Sequence, residues 1–546
     1  MGDFSRRNFV RDAAVLGGAA VALPAIGPGG STATAAAGAA ETAATGVAAD
    51  APVTVRKGES RYPSLVSGAN LRFTGSPDRI HVVSTADQVV QVVQEAVDAG
   101  QRIAVRSGGH CDENFTTSDG IRVVIDMAGM DAVTYDDGRG AFAVEPGARL
   151  GQVYRVLYKG WGVTIPGGVC PTVGAGGHIV GGGYGALSRR FGLTVDHLYG
   201  VEVVVVDAAG RAKKVVATRE PDDPNRELWW AHTGAGGGNF GVITRYWLKS
   251  PGAGPAPGDQ LPKPPSEVLV TDISWSWEGM TEAAFSRLLR NFSQWYEQNS
   301  DPGSAHTKLF SRLTPQHRSA GGFRLTAQLD ASVPDAEKVL DAHLDAVNAG
   351  TGLTYSVSDR SKVPWLYAVT DWFGLVEASM PRWKAKSAYQ RKAFTDAQLK
   401  ALYRHLTRDD YANPYALVAM VGFGGQINAV DPAATAVAQR DSVLKLLYVS
   451  HWTDPADEPK DISWVRGIYR DVHAETGGVP RPGGVTDGCY INYPDSDLAD
   501  PALNDSGVPW QQLYFKDNYG RLQQTKAEWD PRNLFTHALA IQGSTL

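Results

Sequence analysis

Residues 166–185 read PGGVCPTVGAGGHIVGGGYG, and this stretch decides how the rest of the chain is interpreted. Nine of its twenty residues are glycine, far more than one turn requires. Val, Ile, Tyr and Cys are interleaved with the glycines, which is not typical of a flexible linker. The stretch has little side-chain surface to bury, so something else must pack against it. We favour a flat cofactor lying on bare backbone.

A second glycine segment lies upstream, at residues 106–110 (RSGGH), directly after a predicted short strand over 103–105. Glycines after a strand expose consecutive backbone N–H groups, which can form a binding nest for a pyrophosphate anion. A plain turn is the alternative interpretation of this segment alone.

A third glycine segment, residues 236–241 (GGGNFG), matches the G-x-G-x-x-G dinucleotide fingerprint in letters only. That fingerprint requires a strand before it and a helix after it. Here a helix-like segment, 225–230, precedes it and β-branched residues 242–244 follow. The order is reversed, so we reject a Rossmann site. The chain also lacks the G-x-S-x-G and H-E-x-x-H patterns of serine hydrolases and zinc proteases, and no metal site is expected.

Composition excludes several other classes of function. The 546 residues allow two or three domains, and 52 Lys and Arg against 58 Asp and Glu give a net charge of −6. This balance offers no electrostatic case for binding nucleic acid or an anionic membrane. No segment after the N-terminus has the roughly 18 uninterrupted apolar residues of a membrane span.

Three cysteines, Cys111, Cys170 and Cys489, are too few for a disulfide framework. Their odd number leaves at least one thiol unpaired. Whether Cys111 and Cys489 pair with each other stays open at this point.

The N-terminus is typical of an export signal. Residues 5–10 (SRRNFV) form a twin-arginine pattern, followed by a weakly apolar stretch at 13–24 and an Ala-rich run. We therefore expect residues 1–45 to be a signal peptide and linker, recognised by the twin-arginine export machinery, and the mature protein to be secreted. A disordered Ala/Gly tail is the alternative.

The rest of the chain divides at a Pro/Gly-rich linker, residues 251–265. Residues 73–250 alternate helical and strand patterns, including a capping box at Thr85 and a hairpin over 201–217. Beyond the linker, strands at 268–277, 323–331 and 444–451 alternate with helices at 282–297 and 335–348. This pattern predicts a sheet covered by helices, a domain with its own core.

Taken together, these segments resemble the berberine bridge enzyme-like branch of the vanillyl-alcohol-oxidase-type flavoproteins. The matching segments are 106–110, 171–185, 191–197, 236–242, 490–493, 518–522, Lys526 and 530–535. The resemblance covers most of the mature chain. It implies an α+β fold with a two-part FAD-binding domain formed by both chain ends, 60–252 and 481–546, and a central substrate-binding domain at 265–480.

The resemblance also implies that FAD is held covalently at two points, by an 8α-histidyl bond to His110 and a 6-S-cysteinyl bond to Cys170. Two tethers hold the ring in an open site and raise its redox potential, which suits an oxidase that acts on bulky substrates outside the cell. The further cofactor contacts that it implies are Arg106, Ser107, Gly108, Gly109, Val173, Gly174, Gly176, Gly177, His178, Gly182, Tyr184, Gly185, Gly241, Val242 and Asn492.

The family reaction transfers hydride from a substrate C–H to flavin N5, while a base removes a proton and O₂ reoxidises the flavin to give H₂O₂. Some relatives carry a carboxylate base on a strand that corresponds to residues 417–425, but here that strand has no ionisable group. The resemblance therefore leaves tyrosine, with Tyr493 favoured and Tyr490 the runner-up. The two lie on opposite faces if the segment is extended. The alternative is that both only line the pocket.

The expected substrate is a small molecule: an alcohol- or amine-type carbon of a bulky secondary metabolite. Two alternatives stay open. One is an oligosaccharide oxidase that forms a lactone, and the other is a secreted binding protein that has lost turnover.

Overall fold

The computed structural model describes residues 51–373 and 381–544. The signal peptide and linker expected at residues 1–45 lie outside the described residues, so export stays a prediction. Within the described ranges, no helix is long and apolar enough to cross a membrane.

The first sheet has four strands in the order β1-β2-β4-β3. The strands are β1 Val53–Arg56, β2 Arg79–Val82, β3 Arg102–Arg106 and β4 Ile121–Asp126, and helix α1 Ala86–Asp98 connects β2 to β3. As expected of a helix N-cap, the Thr85 side chain accepts a hydrogen bond from the backbone amide of Gln88. The Gln88 side chain, however, accepts a hydrogen bond from the backbone amide of Ser84 and not from that of Thr85. The first hydrogen bond of the predicted capping box is therefore present, and the second is made to the preceding residue, Ser84.

The second sheet has five antiparallel strands in the order β5-β6-β9-β7-β8. They are β5 Val133–Asp136, β6 Ala141–Val144, β7 Leu198–Val206, β8 Ala212–Thr218 and β9 Val242–Leu248, and the helices nearby in sequence are α2 Leu150–Trp161, α3 Ala175–Val180, α4 Ser188–Phe191 and α5 Arg226–Ala231. The pairing of β7 with β8 confirms the predicted hairpin. Because α5 precedes the 236–241 glycines and β9 follows them, the rejection of a Rossmann site is also confirmed.

The third sheet has seven antiparallel strands in the order β13-β10-β12-β11-β15-β16-β14. They are β10 Glu267–Ser276, β11 Leu309–Thr314, β12 Gly322–Asp330, β13 Ser356–Pro364, β14 Arg382–Gln390, β15 Ala416–Gly422 and β16 Leu444–Trp452, and the helices are α6 Glu282–Gln298, α7 Ala336–Asn348, α8 Trp365–Tyr367, α9 Asp396–Thr407 and α10 Glu458–Val472. One sheet face shares a core with helices α6 and α7, where Leu313 and Leu325 join Phe285 and Leu344. The predicted sheet covered by helices is confirmed.

The opposite face of this sheet carries the polar side chains that matter below. Cross-strand partners point to the same face of a sheet, and the register aligns Arg312 with Val421, Val421 with Lys445, and Lys445 with Tyr389. This face therefore presents a buried lysine, Lys445, at the second residue of β16, between Leu444 and Leu446.

The C-terminal segment hydrogen-bonds to the loop that precedes β9. It contains helices α11 Trp510–Phe515 and α12 Tyr519–Trp529. The Lys526 ammonium donates to the Asn239 carbonyl at 2.7 Å and to the Phe535 carbonyl at 2.6 Å, and the Ile541 amide donates to the Asn239 side chain at 2.9 Å. The α+β class is confirmed, whereas the domain bounds of the sequence analysis stay predictions.

Candidate active site

The two residues expected to attach the flavin lie beside one hydroxyl group. Thr172 Oγ1 is 3.1 Å from His110 Nε2 and 3.3 Å from Cys170 Sγ. Both His110 and Cys170 are partly exposed rather than buried in the core. The structure thus brings together two side chains that are 60 residues apart in sequence, at a position open to a ligand.

The loops that carry these residues pack against each other through glycine. A Cβ atom at Gly108 would lie 2.3 Å from the Gly174 nitrogen, and one at Gly174 would lie 2.2 Å from the Gly108 nitrogen. Gly109 has a φ of 77°, and neither the Gly108 nor the Gly109 amide donates a hydrogen bond to any of the described residues. Two free, neighbouring amides fit the nest that a pyrophosphate would need.

At several positions of the glycine run 166–185, glycine is required because other protein atoms fill the space that a side chain would need. A Cβ at Gly181 would overlap the Asn492 side chain, and one at Gly185 would overlap the Gly167 carbonyl. At Gly177, by contrast, a Cβ would meet nothing within 4 Å. Only some of these glycines therefore border open space, and the others are required because protein atoms pack closely against them.

Several other expected cofactor residues are occupied by protein partners. Arg106 forms a buried ion pair with Asp126 at 2.6 Å, and the Ser107 hydroxyl donates to the Pro146 carbonyl. Gly241 packs closely against β7, and the Val242 side chain lies in a hydrophobic core. These contacts show a packing role for the four residues, and their contact with FAD stays a prediction.

His178 connects the Cys170 loop to the predicted base segment. Its Nε2 atom accepts a hydrogen bond from the Gly168 amide at 3.0 Å, and its carbonyl accepts one from the Asn492 side chain at 2.9 Å. Burial, aided by the charge of Lys445, lowers the pKa of His178 to about 3. The imidazole is therefore neutral, with Nε2 as acceptor, and it positions the Cys170 loop rather than exchanging protons at neutral pH.

Three tyrosine rings surround one buried ammonium group. Lys445 Nζ lies 4.1 Å from the ring centre of Tyr184, 4.3 Å from that of Tyr490 and 4.8 Å from that of Tyr493. We call these four residues the tyrosine cage. Burial lowers the pKa of Lys445 to about 7, and no ion pair joins it to a carboxylate of the described residues. The cage therefore holds a cation whose charge is compensated by aromatic rings alone.

The two candidate bases differ within the cage. The segment is not extended, so the expected alternation of faces does not apply: a turn from Tyr490 to Tyr493 brings the two rings edge to face at 5.2 Å. The Tyr490 hydroxyl accepts from the Asn492 side chain at 3.0 Å, and burial raises the pKa of Tyr490 to about 12. Tyr493 is only partly buried. The geometry favours Tyr493 as the residue that meets a substrate.

A buried ion network fixes the segment that follows Tyr493. Lys384 contacts Glu113 at 2.6 Å and Asp495 at 2.7 Å, and Lys386 contacts Asp495 and, at 3.0 Å, Asp497. All five side chains are at most 7% exposed. The network thus joins the His110 loop, strand β14 and the base segment in one charged cluster.

The cysteines left open by the sequence form no disulfide. Cys489 is buried beside the Tyr469 hydroxyl at 3.4 Å, and burial raises the pKa of both Cys111 and Cys489 to about 12. Neither thiol is activated as a nucleophile. Of the three cysteines, Cys170 is the one that lies near His110, on the other side of the Thr172 hydroxyl.

Sequence reasoning missed two residues of the site. Thr172 lies inside the glycine stretch but was not assigned a role. Lys445 was missed because nothing local links it to the tyrosines. The signal that could have found it is a lysine between Leu444 and Leu446 in an apolar strand, because a charged residue there must be paired or functional.

Comparisons with known proteins place the chain among flavoproteins. A family described as "FAD binding domain" matches residues 77–215, and one described as "Berberine and berberine like" matches residues 489–542. The chain is 50% identical to aclacinomycin-N/aclacinomycin-A oxidase of Streptomyces galilaeus over 99% of both chains, and 33% identical to hexose oxidase of Chondrus crispus over 90% of this chain and 95% of that one. It is also similar to the structure of a glycopeptide hexose oxidase in complex with teicoplanin, with a TM-score of 0.85, 51% identity, and coverage of 90% of this chain and 99% of that chain.

Proposed function

The chain belongs to the berberine bridge enzyme-like family of FAD-linked oxidases, and we propose that it holds its flavin through two covalent bonds and oxidises an alcohol-type carbon of a bulky secondary metabolite. The observation that carries the proposal is the placement of the His110 ring and the Cys170 thiol beside the same Thr172 hydroxyl.

The residues present fit an attached FAD. The flavin 8α and C6 carbons lie on one edge of the ring system, so the two protein atoms that bond them must be close neighbours, as His110 and Cys170 are. The free amides of Gly108 and Gly109 would hold the pyrophosphate, and the open space at Gly177 leaves room along the glycine run.

When bound, FAD supplies a two-electron acceptor for hydride and passes the electrons to O₂, which yields H₂O₂. The protein supplies the proton transfer. In this scheme Tyr493 reacts as the tyrosinate, whose negative charge the Lys445 ammonium stabilises. Its oxygen takes the proton of the substrate hydroxyl and becomes a neutral phenol. Tyr490 and Asn492 keep the Tyr493 ring in place through ring contact and the turn.

The relatives support the proposed substrate class. The named relatives act on aclacinomycins and hexoses, and one is seen with a glycopeptide. A secondary metabolite that is oxidised at a sugar alcohol would satisfy all three. The second candidate, an oligosaccharide oxidase that forms a lactone, is favoured by the likeness to hexose oxidase.

The test of attachment is acid denaturation of the purified protein. We expect trichloroacetic acid to precipitate the flavin with the polypeptide. His110→Ala and Cys170→Ala should each retain one bond, and only the double variant should release free FAD. Cys489→Ala is the matched control, since its thiol is buried and unreactive. Release of all yellow colour from the wild type would contradict the two-bond proposal.

The test of turnover is a substrate screen with O₂ consumption and H₂O₂ formation as readouts. Glycosylated aromatic metabolites, oligosaccharides and simple alcohols separate the two candidate functions. Tight binding of a compound that never bleaches the flavin would instead support a binding protein without turnover.

Secretion is the remaining part of the proposal, and it is supported by the twin-arginine pattern at residues 5–10. We expect an Arg6-Arg7 to Lys-Lys change to retain the protein in the cell. Unchanged export of that variant would show that these residues are not an export signal.

A further inference from the structure

The Thr172 hydroxyl lies between the two residues proposed to attach the flavin, on a segment whose backbone is anchored. The Leu150 amide, at the start of helix α2, donates to the Val173 carbonyl at 2.9 Å. The Gly151 amide donates to the Pro171 carbonyl at 3.0 Å. Thr172 is exposed, yet both of its neighbours in sequence are fixed against the helix.

The same segment packs closely against the loop that carries His110. A Cβ atom at Gly108 would lie 2.3 Å from the Gly174 nitrogen and 3.1 Å from the Thr172 carbonyl oxygen, so glycine allows the two backbones to approach this far. The side chains then meet at the hydroxyl, with Thr172 Oγ1 3.1 Å from His110 Nε2 and 3.3 Å from Cys170 Sγ. The three groups therefore form a short chain from thiol to hydroxyl to imidazole.

This chain can carry a proton from the thiol to the imidazole. A threonine hydroxyl donates one hydrogen bond and accepts two, so Thr172 can accept from Cys170 Sγ and donate to His110 Nε2. When both protons shift one step along the chain, Cys170 becomes a thiolate, Thr172 keeps a hydroxyl and Nε2 of His110 becomes protonated. The thiolate, rather than the thiol, is the nucleophile, and a cysteine is activated when a histidine accepts its proton.

A packing role does not account for a threonine at this position. Valine has the same branched shape, and the exposed side chain of Thr172 fills no core. What the hydroxyl adds is a group that contacts both attachment residues at once. The hydroxyl is therefore the functional part of this side chain.

We propose that Thr172 relays the thiol proton of Cys170 to His110, which makes His110 the base that activates Cys170 for attachment to the flavin. The thiolate sulfur forms a bond to a ring carbon of the flavin, and that carbon releases its hydrogen as a proton. The two electrons that remain on the flavin pass to O₂, which becomes H₂O₂. The proposal rests on the proposed function in that both residues bond the flavin. It adds that the cysteine bond depends on Thr172, whereas the histidine bond does not.

The first experiment follows attachment in the full-length protein, made in riboflavin-starved cells and then supplied with FAD in air. Acid precipitation, alkylation of free thiols, proteolysis and mass spectrometry give the fractions of Cys170 and of His110 that carry flavin. In Thr172→Val the cysteine bond should form at least about tenfold more slowly than in the wild type, while the histidine bond forms at the normal rate. Thr172→Ser keeps the hydroxyl and should restore the rate. An unchanged rate of cysteine attachment in Thr172→Val would overturn the proposal.

Thr54→Val is the matched control. The Thr54 hydroxyl lies 2.9 Å from Nδ1 of His81, so this variant also removes a threonine–histidine hydrogen bond, on strands β1 and β2 outside the attachment loops. It should leave both bonds to the flavin unchanged. Since Thr172 is exposed, the melting temperature of Thr172→Val should fall no further than that of the control. Cysteine attachment that slows by the same factor in the control would overturn the assignment to Thr172.

The second experiment is a double-mutant cycle between Thr172 and His110. His110→Ala removes the proton acceptor, so the cysteine bond should still form but at least about tenfold more slowly. Adding Thr172→Val to His110→Ala should slow it little further, because the relay is already broken. If the two effects multiply instead, Thr172 and His110 act independently on Cys170, and the relay is wrong.

The wild-type protein separates a failure of the relay from a failure of the proposed function. If acid releases its flavin and Cys170 is a free thiol, two-bond attachment is wrong and the relay is wrong with it. If the wild type and Thr172→Val both attach flavin to Cys170 at the same rate, only the relay is wrong.

Discussion

The proposed role of a tyrosine as the base depends on Lys445. An ordinary tyrosine has a pKa of about 10, and ionising it at pH 7 requires about 4 kcal/mol of selective stabilisation. The Lys445 ammonium lies over the rings of Tyr490 and Tyr493, and burial lowers the pKa of Lys445 to about 7. A protonated Lys445 beside a tyrosinate would favour the charged form of that tyrosine, which reduces the free energy needed to ionise it.

The identity of the proposed base is tested by removing the hydroxyl group of one tyrosine at a time. Tyr493→Phe keeps the ring over Lys445, so flavin content should change little, while flavin reduction should slow by about 10²- to 10⁴-fold. Tyr490→Phe should cost much less, since that hydroxyl is held by Asn492. Rapid-reaction measurement of bleaching without O₂ isolates the step. A larger loss in Tyr490→Phe would transfer the role to Tyr490.

Lys445→Met should slow flavin reduction at pH 7 by about 10- to 100-fold and, at the same time, stabilise the protein at low pH. Because burial lowers the folded-state pKa of Lys445 from 10.5 to about 7, the unfolded chain binds the extra proton between these values. Stability that depends on Lys445 thus rises with pH across that window. The gain from Lys445→Met should be largest below pH 7 and vanish near pH 10.5, as measured by urea unfolding of both proteins. An equal gain at both ends would contradict a lysine whose pKa is lowered by burial.

At the scale of single residues, the sequence predicts the site residues that belong to contiguous motifs. It does not predict those that only tertiary contacts bring into the site. His110, Cys170, Tyr490 and Tyr493 each belong to a motif, and the structure places His110 with Cys170 and the two tyrosines with each other. Lys445 joins the cage only because β16 lies inside the third sheet, and that placement depends on strand pairing far along the chain.

At the scale of elements, the ion network of Lys384, Lys386, Glu113, Asp495 and Asp497 holds the base segment. Burial alone would lower the pKa of Lys384, but Asp495 and Glu113 raise it above its ordinary value, and Arg466 with the two lysines holds the pKa of Asp497 well below its own. Lys384 and Asp497 are therefore charged at neutral pH. Asp495 lies two residues after Tyr493, so the network fixes the turn that presents the phenol.

Lys386→Met should loosen that turn, because it leaves Asp495 and Asp497 with fewer partners in a buried site. We expect a loss of about 3–5 kcal/mol in the free energy of unfolding and a flavin reduction rate about 10- to 100-fold lower. Lys392→Met is the control, since its ion pair with Glu297 is 61% and 32% exposed. Denaturant unfolding and anaerobic bleaching check both values, and an effect no larger than that of the control would show that the network does not position Tyr493.

Element patterns were predictable where periodicity is strong. Helices α6 and α7 each differ from their predicted bounds by one residue. The order of strands in the third sheet was not predictable, because β14 pairs with β16 and β11 with β15 across long connections. The glycine run illustrates the same limit: its composition shows that something packs there, but not that Asn492 and Gly167 occupy part of the space.

At the scale of the whole molecule, the C-terminal segment is held against the N-terminal half by a lysine. Lys526 is 1% exposed, its ammonium contacts Asp530 at 2.5 Å, and two carbonyls, from Asn239 and Phe535, accept its other protons. Every proton of this buried ammonium thus has an acceptor. The chain end is therefore bound by a satisfied buried cation rather than by an apolar contact alone.

Lys526→Met should consequently destabilise the protein far more than the loss of one ordinary ion pair. The variant leaves the Asp530 carboxylate, 2% exposed, without its cation, and the Asn239 and Phe535 carbonyls without a donor. Breaking a buried pair in this way costs about 3–5 kcal/mol. Lys338→Met is the matched control, because its ion pair with Asp335 is 80% and 68% exposed and should contribute at most about 1 kcal/mol. Urea unfolding, followed by tryptophan fluorescence, measures both. If the two variants lose the same stability, the C-terminal segment is held mainly by its apolar contacts, and Lys526 is not what joins the two ends of the chain.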